Sequence, residues 1–168
     1  GTNSFNLVWE KVCAEVMDNQ LQKPIGGLRL PMPLAEQYRD MRHKKLIDLI
    51  DKPRWSGTTP NSELFVKQAE DTLIPDLISI VNVDGNYQFI IFDAKYYNIQ
   101  LEHNKKLRGQ PGIESITKQY LYQLADQPFV EAHQIGTVRN CFLMPTSSAE
   151  IVEKGTASLS MLSELGLQ

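Results

Sequence analysis

Three residues have the types and the spacing to work on a phosphate. Asp76 lies in the run LIPDLISI, and Asp93 and Lys95 lie in IIFDAKYY. Between the two runs stands the pair Asp84-Gly85. An Asp-Gly pair between two β-branched, apolar runs signals a hairpin and favours a two-residue type I′ turn. With that turn, Val83 faces Asn86, and the same register carried outward sets Asp76 opposite Asp93. Residues so paired hold their Cβ atoms about 4.5–5.5 Å apart. Two carboxylates at that separation repel, and partial burial raises one pKa. A divalent cation between them relieves the repulsion, and Mg2+ favours carboxylate oxygens. Lys95 is two residues beyond Asp93, so the strand period of two puts it on the same face. There its ammonium stabilises charge developing on a phosphate, or helps to position and deprotonate an attacking water. Two carboxylates, a lysine and a metal on one face suit phosphodiester hydrolysis, because the metal polarises the phosphate and acidifies a bound water.

Each half of this pattern is weak alone. Pro75-Asp76 is a common dipeptide, and Asp-Ala-Lys is short. The bland alternative is a hairpin whose end carries solvated charges, with Lys95 in a surface ion pair. The paired register and the apolar surroundings favour the site, since charges inside such runs are seldom accidental.

The elements that must position these residues follow from periodicity. Phe5, Val8, Trp9, Val12 and Val16 make an apolar stripe, which predicts a helix over 5–19. Glu10 lies off that stripe, in a row with Cys13 and Met17. Residues 20–34 carry three prolines and two glycines and read as loop. The segment 38–51 begins as helix, and 46–50 fits helix or strand equally. Residues 55–61 read as loop. The hairpin takes 77–83 and 87–92, and 98–112 is a polar loop ending in Pro111-Gly112. A second helix is expected over 113–125, a strand over 138–144, and helix or strand over 157–167. The fold class is therefore α/β (α+β): a central mixed sheet of four to five strands flanked by helices.

Bulk properties bound the rest. The 168 residues fit one domain, with 42% hydrophobic and 22% charged residues, a globular composition. Residues 1–4 read as linker or cloning scar, and 5–168 as a single domain of a longer protein. No run approaches the roughly 18 apolar residues of a membrane helix, so a soluble intracellular protein is expected. Cys13 and Cys141 lack metal-ligand spacing and are expected as buried free thiols. The net charge of −3 argues mildly against tight autonomous nucleic-acid binding, which needs clustered Lys and Arg. Two basic groups stand out as phosphate contacts: Lys44 and Lys45 beside His43, and Lys105, Lys106 and Arg108 beside His103. A charge run is more often a solvated face. Trp55 beside Arg54 has the chemistry to stack on a base, but a tryptophan is more often core. His103 and His133 are expected to be structural.

The segments IPDLISI and FIIFDAKYY resemble the two halves of the PD-(D/E)xK nuclease motif: Pro75-Asp76, then Asp93-Ala94-Lys95. FNLVWEKVC, KPRW and PGIESITKQYLYQLA extend the likeness to the LlaJI-type restriction endonucleases over most of 5–144. This resemblance implies a restriction-endonuclease-like core, cleavage of double-stranded DNA, dependence on Mg2+ (with Mn2+ as substitute) and a bacterial cytoplasmic setting in phage defence. Target recognition would then lie in a part outside this chain. Glu10 matches the place where many such enzymes put an extra acidic metal ligand, and Gln119 resembles a glutamine that related nucleases hold near the site. In this reading Asp76, Asp93, the Ala94 carbonyl and Glu10 hold the metal, while Lys95 serves the water or the phosphate. Scission of both strands needs two sites, so a homodimer, a partner subunit or a recognition domain is expected. Two other readings remain: a silent DNA-binding or assembly module of the same fold, or a nuclease for junctions, single strands or RNA.

Overall fold

The computed structural model describes residues 2–163. In order it contains α1 (Thr2–Val16), β1 (Arg54–Thr58), β2 (Leu64–Gln68), β3 (Leu77–Val83), β4 (Asn86–Ala94), α2 (Ile113–Ala132), β5 (Thr137–Leu143) and α3 (Ser160–Ser163). The turn between β3 and β4 forms as its residues require. Asp84 and Gly85 take φ of 52° and 85°, the two positive values of a type I′ turn. The Gly85 N–H also donates to the Asn82 side chain at 2.8 Å. The register runs from Val83↔Asn86 to Leu77↔Phe92, as the turn predicts.

β5 pairs with β4 in parallel, with Asp93 beside Phe142 and Ala94 beside Leu143. A parallel neighbour needs a long crossover, and α2 supplies it. Strand alternation then sorts the core into two layers. Ile78, Phe89 and Ile91 pack with Tyr122, Phe129 and Val130 of α2. Leu77, Ile90, Phe92 and Ala94 pack with Cys13 and Trp9 of α1. The mixed sheet thus lies between two helices.

The sheet is smaller than the sequence suggests, with three strands in the order β3-β4-β5. Residues 36–41 and 46–49 form 3-10 turns instead of a helix or strand. Residues 157–159 are irregular and α3 follows; 164–167 lie outside the described residues. The loop expected over 55–61 is a strand for its first part: β1 pairs with β2 as a separate antiparallel ribbon. The small polar residues Ser56, Gly57 and Thr58 hid it, because they show no apolar alternation. α2 continues beyond Ala125 to Ala132 despite Pro128, since Phe129 and Val130 at its end are buried.

α1 starts at Thr2 and not after Ser4, and it presents a different face from the one its stripe suggests. Phe5, Val8, Val12 and Val16 are exposed, while Cys13 is buried and Trp9 and Met17 are half-buried. The reason is an anchor: the Trp9 indole N–H donates to the Leu143 carbonyl at the end of β5, 3.2 Å away. Met17 accepts from the Ser79 hydroxyl on β3. Asn19 Oδ1 receives the N–H groups of Leu21 and Ile78 at 3.0 and 3.1 Å, and Gln20 N–H reaches the Ile78 carbonyl at 2.7 Å. The chain after α1 therefore covers the outer edge of β3, which would otherwise be open to strand pairing.

Two buried polar side chains lie under α2. His133 is fully buried. Its Nε2 accepts from the Ala35 N–H at 3.0 Å, so Nδ1 carries the proton and donates to the Phe129 carbonyl at 2.8 Å. The ring is neutral and structural, as expected. Asp126 is 1% exposed, and neither of its oxygens has a hydrogen-bond partner in the structure. Burial alone pushes its carboxyl up to about 7.

Candidate active site

Asp76 stands one residue before β3, next to the last pair of the hairpin. Its Oδ2 accepts the Ala94 N–H at 2.8 Å, so it closes the end of the sheet through its side chain. Asp93, the next-to-last residue of β4, lies close enough to Asp76 for the two carboxyl groups to act on each other. Lys95 Nζ is 3.1 Å from Asp93 Oδ2, and both side chains are mostly buried. The Lys95 N–H donates to the Leu143 carbonyl at 2.8 Å, the same oxygen that anchors Trp9. One carbonyl therefore ties β4, β5 and α1 together at the site.

The electrostatics follow from this crowding. Burial, then the hydrogen bond to Asp76, pushes Asp93 up to about 6, with Lys95 pulling the other way. Glu10 projects from α1 with its pKa raised, first by burial and then by Asp76, while Lys95 opposes. The structure thus brings together Asp76, Asp93, Lys95 and Glu10.

Two further groups feel the pair. Burial, then Asp76 and Glu10, pushes the Cys13 thiol up to about 11. Tyr122 on α2 has a raised pKa from burial, then from Asp93 and Asp76. Cys13 was legible as a neighbour in its helical row with Glu10. Tyr122 was not, although it lies three residues, one helical turn, after Gln119.

Gln119 is 3% exposed and works through the backbone. Its Nε2 donates to the Ile91 carbonyl of β4 at 3.1 Å and, more loosely, to the Cys141 carbonyl of β5 at 3.4 Å. It therefore clamps the two parallel strands two residues before Asp93. Gln119→Ala strips two buried carbonyls of a donor and costs roughly 1–3 kcal/mol. The expected result is a lowered melting temperature with Mg2+ affinity held, and calorimetry separates that from a ligand role.

The basic groups are held by contacts of their own. Lys105 pairs with Glu102 at 3.1 Å, and Arg108 bridges Gln100 within the 98–112 loop. Lys44 and Lys45 are exposed beside the 46–49 turn, where the Lys45 N–H donates to Asp48 at 3.2 Å.

The donor set is all hard oxygen. Among the described residues, no group of three or more His, Cys, Asp or Glu side chains is disposed to hold a metal ion. Mg2+ does not ask for such a cage: one or two carboxylates suffice, with water and phosphate oxygens completing the octahedron. Asp76 and Asp93, neighbours at one end of the sheet, meet that requirement.

Residues 36–163 match the family model described as LlaJI restriction endonuclease. The chain belongs to the LlaJI restriction endonuclease family. Within that family match fall Asp76, Asp93, Lys95 and Gln119. A relative, the type II restriction enzyme BsuMI component YdjA of Bacillus subtilis (strain 168), is 33% identical over 149 residues. That match covers 89% of this chain and 26% of the relative, so the chain spans about a quarter of the relative's length. No solved structure matches it. No helix among the described residues is long and apolar enough to cross a membrane.

Proposed function

We propose that this chain is the nuclease domain of a restriction enzyme, one that hydrolyses phosphodiester bonds of double-stranded DNA with Mg2+. The observation that carries this reading is the half-buried set of Asp76, Asp93 and Lys95 at one end of the sheet, in a chain of a restriction endonuclease family. Asp76 and Asp93 would hold the ion, with the Ala94 carbonyl as a backbone oxygen and Glu10 as a further carboxylate whose charge acts on the site. When bound, Mg2+ polarises the phosphate and acidifies a water; Mn2+ substitutes for it. Lys95, 3.1 Å from Asp93, would serve the phosphate or the attacking water with its ammonium. The fixed Ala94 N–H keeps Asp76 aimed at the site throughout.

Cutting both strands needs two such sites. We infer that the chain works as a homodimer, or with a partner subunit or recognition domain, in the bacterial cytoplasm. The relative named as a component of a restriction enzyme supports that organisation.

The test is nicking of plasmid DNA by the purified chain in Mg2+, with EDTA as control. Nicking that EDTA abolishes supports the reading. A folded chain that neither cuts DNA nor binds Mg2+ sinks it and promotes a silent assembly module. Protons compete with the metal: because Asp93 holds its proton up to about 6, Mg2+ affinity is constant above that pH. Below it, affinity falls roughly tenfold per pH unit. Calorimetric titration between pH 5 and 8 reads this directly, and a flat profile contradicts it.

A further inference from the structure

The β1–β2 ribbon is the one sheet with no layer on it among the described residues. All ten of its residues except Gly57 are exposed, including Trp55 (71%) and Leu64 (80%). A two-stranded hairpin is marginal by itself, yet this one is well tied at both ends. At the root, Ala69 N–H donates to the Pro53 carbonyl at 2.8 Å, and the Thr72 hydroxyl donates to the Asp51 carbonyl. At the tip, Thr59 N–H donates to the Glu63 carbonyl at 2.8 Å, Ser62 N–H to the Thr59 carbonyl at 2.9 Å and Glu63 N–H to the Thr59 hydroxyl at 3.1 Å. Ser62 takes φ of 64°, a left-handed value that side chains rarely adopt. The tip is thus preorganised.

Its position and layout point to one occupant. Thr72 at the root is four residues before Asp76, so the two Cα atoms are at most ~14 Å apart. From the Trp55↔Lys67 pair to the Thr58↔Leu64 pair is three residues, or about 10 Å along the strands. The major groove of DNA is about 8.5 Å deep and about 12 Å wide, and it admits a two-stranded ribbon. A tip resting on the groove floor therefore sets Trp55 and Lys67 at the level of the phosphates. The side chains are sorted to match. Lys67 is at rim level, and Phe65 shares its face and lies flat over Gly57, where a Cβ would come within 2.5 Å of the ring. Asn61 and Glu63 are at the tip, where they meet base edges rather than phosphates, and Leu64 beside them has the apolar surface for a thymine methyl. Arg54 at the root is already paired with Asp51 at 3.1 Å.

We propose that the β1–β2 ribbon is a DNA-contacting arm that enters the major groove beside the scissile phosphate, with Trp55 and Lys67 on the backbone and the tip on base edges. This rests on the nuclease reading above. The test is binding of labelled 20-base-pair duplexes by the whole chain in EDTA, followed by anisotropy against salt. Trp55→Ala with Lys67→Ala is expected to weaken binding about tenfold and to lower the salt slope by about 1. Trp55→Phe should recover part of the loss. Far-UV circular dichroism checks that each variant is folded. Unchanged affinity in the double variant, beside a wild type that binds and cuts, overturns the arm and leaves the nuclease standing. A folded wild type that binds Mg2+ but not duplex overturns the arm and leaves the nuclease standing, and one that binds neither and does not cut overturns both. Unchanged affinity with a drop in mass by light scattering overturns the arm and assigns the ribbon to contact between copies.

Discussion

Asp93→Ala is expected to lower Mg2+-dependent DNA cleavage at least ~1,000-fold, equivalent to ~4 kcal/mol in the barrier. Asp93 carries three roles at once. It supplies one of two close carboxylates, it holds Lys95 at 3.1 Å, and its raised pKa sets where protons begin to compete with Mg2+. Its removal leaves Asp76 as a lone ligand and Lys95 without a tether. The fold does not need it, because burial and Asp76 both work against its charged form. The variant should therefore melt at or above the wild-type temperature at pH 7.5 while losing both Mg2+ binding and cleavage. A variant that keeps its activity would remove Asp93 from the site. A wild type that binds Mg2+ through Asp93 but does not cut would mean a competent site waiting for its recognition partner.

The second large effect concerns stability. Asp126 is buried without a hydrogen-bond partner, and burial pushes its carboxyl up to about 7, well above the usual carboxylate range. A carboxyl whose folded pKa is raised binds its proton more tightly in the folded state, so folding is favoured at low pH. Stability falls as pH climbs from about 4 to about 7 and is then level. The difference of about three pH units corresponds to about 4 kcal/mol as an upper figure. Asp126→Asn keeps the shape and removes the ionisation. At pH 8 the variant should melt up to ~10 °C higher than wild type, and at pH 4 the two should be close. Melting curves from pH 4 to 8 decide it: equal slopes for the two proteins would mean that Asp126 has a partner that the structure lacks.

The site was far more legible than the packing around it. Asp84-Gly85 encodes its own turn, and a turn of fixed length fixes the register, so Asp76, Asp93 and Lys95 could be brought together from sequence. Strand period and a local turn are short-range facts. The packed face of α1 is not. Its apolar stripe pointed to Phe5, Val8, Trp9, Val12 and Val16, but of these only Trp9 is drawn in, anchored on Leu143 beside the inward Cys13 and Met17, and that contact joins residues 134 apart. No local pattern carries such information. The β1–β2 ribbon was missed for a related reason: its strands bury nothing, so they show no alternation to read. Gln119 was singled out by resemblance, but its role as a strand clamp appears only when Ile91 and Cys141 are neighbours.

The hairpin also sets an order of events in folding. Asp76 and Asp93 are brought face to face by a two-residue turn, a contact that closes early because little chain entropy is lost. β5 must wait for the whole α2 crossover, and Glu10 must wait for β5, since α1 docks on the carbonyl at its end. The two like charges thus meet before Lys95 has its strand neighbour and before the helix layers exclude water. Repulsion between the two carboxylates would then oppose closure of the nascent hairpin at that end, and a proton or a divalent ion that bridges them would speed the step that the rest of the domain builds upon.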